Sequence, residues 1–160
     1  MKIRILPLLL LMVSINFFAQ TATEDIQEIT EMIIQQQEQT NKTQIDARNF
    51  SAQGNYSFNS TGGLLNYNPN PSAQKYDGVN LQAKHIRVVS LVAGKAAVAL
   101  FYNEGSIKPK GYVAVDHYLT RISETYVKEK GKWVLVTGHY SPITGGNGTS
   151  QIGKGVSKEE

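Results

Sequence analysis

Two rhythms of apolar and polar residues run along this chain. The first has a period near 3.6. Ile26, Ile29, Ile33 and Ile34 recur with polar residues between them, which predicts a helix capped by Thr23 with Glu24 and Asp25 in its first turn. A polar stretch over residues 35–41 follows, and Ile45, Ala47 and Phe50 then resume an apolar pattern. One long helix or two short ones are predicted, ending near Gly54. The second rhythm has period two. It surfaces in Tyr56-Ser57-Phe58-Asn59 as a short strand, then gives way to Gly62-Gly63 and Asn68-Pro69-Asn70-Pro71. Residues 55–80 are expected to form a strand-and-loop layer over one end of the core, because so long a stretch without any structure is uncommon in a compact domain. Beyond Lys84 the pattern predicts a β meander. Strands over 85–93 and 95–102 are joined through Gly94, and residues 103–111, with Gly105, Pro109 and Gly111, form a connection. A long strand over 112–128 turns at residues 129–132 into a last strand over 133–140. The class is α+β: an N-terminal helix or helices packed in a strongly curved antiparallel sheet.

The N-terminus changes the picture of where this domain works. Lys2 and Arg4 precede an apolar run over residues 5–13, the pattern of a signal peptide. The run is shorter than the about 20 residues a spanning helix needs. A leader over 1–19 is expected, cleaved between 19 and 22, leaving a domain over 23–143 and a flexible tail over 144–160. The product is expected in the periplasm or outside the cell, with no membrane anchor after cleavage. The chain has no cysteine, so disulfides, thiolate metal sites and a lipid anchor on cysteine are excluded. The leader holds two of the 16 basic residues and none of the 13 acidic ones, so a net +3 falls to +1 in the mature chain. With no Lys/Arg cluster, a nucleic-acid partner is not expected. No metal or cofactor is expected either, since His85, His117 and His139 stand at no ligand spacing.

The order of elements and the segment SETYVKEKGKWVLVTGHYS, residues 123–141, resemble the nuclear transport factor 2-like superfamily, in particular its SnoaL-like and calcium/calmodulin-dependent kinase association-domain branches. The matching positions are Ser123 or Thr125, Gly131-Lys132-Trp133, and His139-Tyr140-Ser141. With the leader, the resemblance implies an exported bacterial member. It implies a cone with a pocket inside, often dimeric through the outer face of the sheet, and no single activity. There are two departures. Relatives carry a helix between the first strand and the meander, whereas residues 62–80 are rich in Asn, Gly and Pro. The association domain also has a pocket-lining Arg where this chain has Glu124; the nearest Arg is Arg121.

Strand parity supplies the candidate site. On the last strand Trp133, Leu135, Thr137, His139 and Ser141 share a face; on the long strand His117, Leu119, Arg121, Ser123 and Thr125 do. If both sets face the cone, Arg121, His139, Ser141 and His117 form a polar ligand-binding cluster with Tyr102 or Glu104 near its mouth. A bulge would swap the faces and break the grouping. For chemistry, His139, His117 or Asp116 are the weak candidates for a base, with Arg121, Tyr102 or Tyr140 facing developing negative charge. None has a diagnostic spacing. The plainer readings are a His139 satisfied by a backbone carbonyl or Ser141, a Trp133 that packs, and an Arg121 paired with Glu124 or Asp116. The leading expectation is therefore a non-catalytic domain that binds a small molecule or serves in assembly as a homodimer. The alternative is a cofactor-free lyase or isomerase.

Overall fold

The computed structural model describes residues 6–143, with side chains from residue 21. Residues 1–5 of the expected leader and the whole expected tail over 144–160 lie outside the described residues. The elements are one helix, α1 (Leu6–Thr43), and six strands: β1 (Asn55–Phe58), β2 (Asn66–Asn68), β3 (Tyr76–Val92), β4 (Ala96–Pro109), β5 (Val115–Glu129) and β6 (Lys132–Pro142). They form one sheet in the order β2-β1-β6-β5-β4-β3. β3 to β6 pair antiparallel as a meander, β1 runs parallel to β6, and β2 pairs antiparallel with β1.

The helix buries one stripe. Asp25, Ile29, Ile33 and Thr40 are all below 9% exposed, at the i, i+4, i+8, i+15 spacing of a single face. Ile29 and Ile33 meet Ala97, Ala99 and Phe101 of β4, Ile122 and Tyr126 of β5, and Trp133 and Leu135 of β6. The two alanines sit near the hairpin end, where their small size lets the helix lie close to the sheet. Larger residues fill the other end, where Val79, Leu81, Ile107, Val115 and Tyr118 form a second cluster. Asp25 ties the helix to the β3–β4 hairpin by accepting the Gly94 N–H at 2.5 Å. Trp133, 2% exposed, donates its indole N–H to Glu28 at 3.0 Å, which fits the packing role expected of it.

Three boundaries differ from the sequence reading, each for a local reason. The helix ends at Thr43, not near Gly54. Gln44 adopts a left-handed φ of 60° and closes the last turn with its N–H on the Thr40 carbonyl at 2.8 Å. Beyond it the chain runs extended, bridged at Ile45 to Lys75 and at Phe50 to Leu135. The meander begins at Tyr76, nine residues before His85: Val79 and Leu81 point inward while Asn80 and Gln82 point out, a true alternation masked by its polar half. β4 also runs on through residues 103–109. Gly105 there is a bulge, not a connection; with φ of 144° it passes so close to β3 that a Cβ would meet the Asn80 carbonyl oxygen at 2.0 Å. Residues 62–80 hold β2 and the start of β3 and no helix.

Bulges bend the sheet and decide which side chains enter the cone. β3 has register shifts at Tyr76/Gly78, Lys84/Arg87 and Ser90/Val92. In β6, Thr137 pairs with Thr125 but Leu135 pairs with Tyr126, so Val136 is the extra residue. Trp133 and Leu135 face inward before this bulge, and Gly138 and Tyr140 face inward after it.

Candidate functional site

A cavity of ≈ 410 Å³ lies between the inner face of the sheet and the C-terminal half of α1. Its floor is an ionic network. Arg48, in the extended segment after the helix, donates Nε to both oxygens of Asp46 at 3.0 and 3.1 Å and Nη2 to Oδ2 at 2.6 Å. Its Nη1 reaches Glu124 Oε1 at 3.1 Å and the Tyr140 hydroxyl. Tyr140 donates to Glu124 Oε1 at 2.8 Å, and Tyr126 donates to Oε2 at 2.5 Å. The side chains of Asp46 and Glu124 are only 4% and 3% exposed. Buried carboxylates persist only when paired and hydrogen-bonded, and here every carboxylate oxygen has a donor.

Local sequence explains how these groups meet. Asp46 accepts the Arg48 backbone N–H at 3.0 Å, an Asx turn that sets the guanidinium beside its own carboxylate. Glu124 pairs with Gly138 across the β5–β6 ladder. The missing side chain at Gly138 makes room for the Tyr140 ring: a Cβ there would stand 2.5 Å from the Tyr140 hydroxyl. Gly138 thus lets Tyr140 lie across its own strand and reach Glu124.

The electrostatics follow from burial and pairing. Burial acts to raise the Asp46 carboxyl, but the Arg48 charge and hydrogen bonds outweigh it and hold Asp46 below the usual carboxylate range. Burial works against the Arg48 cation, while Tyr140, Asp46 and Glu124 hold it, so it titrates well above the ordinary arginine range. Tyr126 and Tyr140 are pushed well above the usual phenol range, first by burial and then by burial's partner effect, the Glu124 charge that disfavours a phenolate. Burial carries Tyr76, on the cavity wall, to about 12.

Above this floor the wall is mixed. Ile33, Phe101, Ile107 and Tyr118 supply apolar surface, and Gln36, Gln37 and Asn103 supply amides. Asn103 Oδ1 is buried and has no hydrogen-bond partner; Thr120, opposite it in the register, buries Oγ1 likewise. Among the described residues no group of three His, Asp or Glu is placed to hold a metal.

The residues expected to line the cone lie on the other face. The Val136 bulge reverses the parity of β6, so His139 and Ser141 point outward beside Arg121 and Tyr102, around a groove that also holds His85 and Arg87. His139 packs edge-on against Phe58 of β1, ring centroids 5.6 Å apart, and not on a backbone carbonyl. Arg121 donates Nε to Ser141 Oγ at 3.2 Å; Glu124, its expected partner, belongs to Arg48. Glu104 pairs with Lys84, which with its hydrogen bond and charge lowers the Glu104 carboxyl. His117 and Asp116 are exposed on β5. Asp46 and Arg48 were missed because they fall where a helix was expected. Glu124 carried a signal: parity places it with Tyr118, Thr120 and Ile122, and an acid on an apolar face requires an internal partner.

No family model and no curated protein matches the chain. Among solved structures, the chain is similar to a nuclear transport factor 2-like protein of unknown function from Pseudomonas putida KT2440, with a TM-score of 0.56 and 13% identity over 82% of this chain and 98% of that one. It has the nuclear transport factor 2-like fold. A second similar structure is the association domain of C. elegans CaMKII, with a TM-score of 0.44 and 16% identity over 74% of this chain and 94% of that one. The likeness at TM-score 0.56 bears out the fold expected from the order of elements and residues 123–141.

Proposed function

We propose that this nuclear transport factor 2-like domain binds a small uncharged or cationic polar molecule inside its cone and does no chemistry on it. The observation that carries this reading is the cavity of ≈ 410 Å³ with the unpartnered Asn103 Oδ1 on its wall. A buried acceptor without a donor is costly, and a ligand N–H or O–H would satisfy it. The floor sets the sign: with both carboxylates ionised, Asp46 and Glu124 against Arg48 leave one net negative charge, which disfavours an anion. An isomerase would need a base inside the cone free to take a proton, whereas His139 lines the outer groove, His117 and Asp116 are exposed, and donors occupy all four oxygens of Asp46 and Glu124. A thermal-shift screen of small polar compounds, run in parallel on wild type and Asn103→Leu, tests the reading. Uncharged or cationic compounds are expected to stabilise wild type and to lose that effect in the variant. If no stabilisation depends on Asn103, the reading fails.

The same proposal includes export, supported by the leader pattern of residues 1–19, and self-association as a homodimer. The support for the latter is an apolar strip on the outer face at the hairpin end, where Val89, Leu91 and Val92 are 50%, 57% and 52% exposed. N-terminal sequencing of protein recovered from outside the cytoplasm is expected to begin between residues 20 and 23. Sedimentation is expected to show a dimer that Leu91→Glu converts to monomer; a wild-type monomer at micromolar concentration would remove the dimer from the proposal.

A further inference from the structure

The outer-face groove is built from strands that have no reason to share cations. It spans β3 to β6, has a volume of ≈ 620 Å³, and gathers His85, Arg87, Tyr102, Arg121, His139 and Ser141. The ladder fixes their neighbourhood: Tyr102 lies opposite Arg121, Arg121 opposite Ser141, and Ser123 opposite His139. Both guanidiniums lack an acidic partner. Among the described residues Arg121 bonds Ser141 Oγ, Arg87 donates to the Ile86 carbonyl at 3.1 Å, and neither takes part in an ion pair. The acid nearby on β4, Glu104, is already paired with Lys84.

A second observation points to the same place. His85 holds a left-handed φ of 55° in the middle of a strand, where the Lys84/Arg87 shift adds one residue to β3. Such a conformation costs free energy in a residue other than glycine, and strain of this kind gathers at ligand sites. Its result is an imidazole set edge-on to Tyr102, centroids 5.9 Å apart, aimed into the groove beside the guanidiniums.

We propose that this groove binds a phosphate monoester carried on an aromatic or aliphatic body. Two unpaired guanidinium forks, two imidazoles and two serine hydroxyls match a compact group with about two negative charges and three acceptor oxygens. Leu100 and the Tyr102 ring supply the apolar surface for the body. The two guanidiniums line one groove, which suits one small ester and not a nucleic-acid backbone. The site is separate from the cone, on the opposite face of the sheet.

Calorimetric titration with phenyl phosphate tests this on wild type, Arg87→Gln, Arg121→Gln and Asn103→Leu. Wild type is expected to bind saturably. Each Arg variant, exposed and so expected to melt as wild type does, loses about tenfold or more in affinity. Asn103→Leu, which empties the cone proposal, binds unchanged. Benzyl alcohol, with the ring and no anion, gives no saturable heat that depends on Arg121. Vesicles of phosphatidylcholine with phosphatidic acid separate the two sources of such an ester. Co-sedimentation abolished by Arg121→Gln assigns a lipid headgroup, and phenyl phosphate binding without it assigns a soluble ester. The proposal is overturned if wild type shows no saturable binding of either probe, or if both Arg variants bind as tightly as wild type.

Discussion

Gly138 is the residue on which the cone's ionic floor turns. It has no side chain because Tyr140 occupies the space, and Tyr140 is there because Glu124 stands opposite Gly138 and needs donors. Gly138→Ala is expected to push the Tyr140 hydroxyl off Glu124 and Arg48, costing about 1–3 kcal/mol for a buried group left short of a partner. Denaturant titration reads this, and a stability equal to wild type would show that Tyr140 relaxes without loss. Arg48→Ala should be worse, at about 3–5 kcal/mol, because it strands two buried carboxylates. Asp46 adds a pH signature. Its folded pKa lies below its unfolded value of about 3.9, so its stabilisation is present above that value and lost as pH falls through the folded one. The stability gap between wild type and Asp46→Asn is therefore expected to hold steady above about pH 5 and to narrow below about pH 4. A gap that widens on acidification would contradict the ion pair.

At the scale of the element, one inserted residue decides the chemistry of a face. Val136 is the extra residue of β6; were it paired in regular alternation instead, His139 and Ser141 would enter the cone and Tyr140 would leave it. Deleting Val136 sets Leu135 and Thr137 in regular alternation opposite Tyr126 and Thr125, so Tyr140 is expected to stay buried on Glu124 and the melting temperature to fall by no more than several degrees, from the lost bend alone. Increased tyrosine exposure by ultraviolet difference spectroscopy would mean that the register slips instead of closing over the deletion. The same bulge marks the limit of what the sequence discloses. The meander, its turns at Gly94 and Gly131, the Trp133 anchor and the helical stripe through Ile29 and Ile33 are legible, because period and turn chemistry are local properties. Parity sets His139 and Ser141 on one face with Trp133 and Leu135, but the Val136 bulge divides them; bulges leave no strong mark on a sequence, so the face that Tyr102, Arg121, His139 and Ser141 share was not legible. Asp46 and Arg48 were hidden for another reason: apolar residues at 45, 47 and 50 fit a helix as well as an extended edge, and Gln44 gives no warning of a left-handed turn.

At the scale of the whole molecule, the sheet has two chemically distinct faces. The inner face is a cone whose floor sets two acids, Asp46 and Glu124, against one cation, Arg48. The outer face presents unpaired cations and an apolar strip. Under the two binding proposals, opposite signs on the two faces of one sheet would let ligands be told apart by charge alone.

The Glu28–Trp133–Lys128 contact carries one more consequence. Trp133 is the chain's single tryptophan, its indole is bonded to α1 through Glu28, and Lys128 lies 5.1 Å above the ring. The protein therefore contains one indole fluorophore, placed at the seam between helix and sheet. Its emission reports the docking of α1, while far-ultraviolet dichroism reports the strands and helix themselves. Coincident melting by the two signals would establish that the helix and the sheet come apart as one cooperative unit; an earlier red shift in emission would reveal a state in which the sheet outlives its cover.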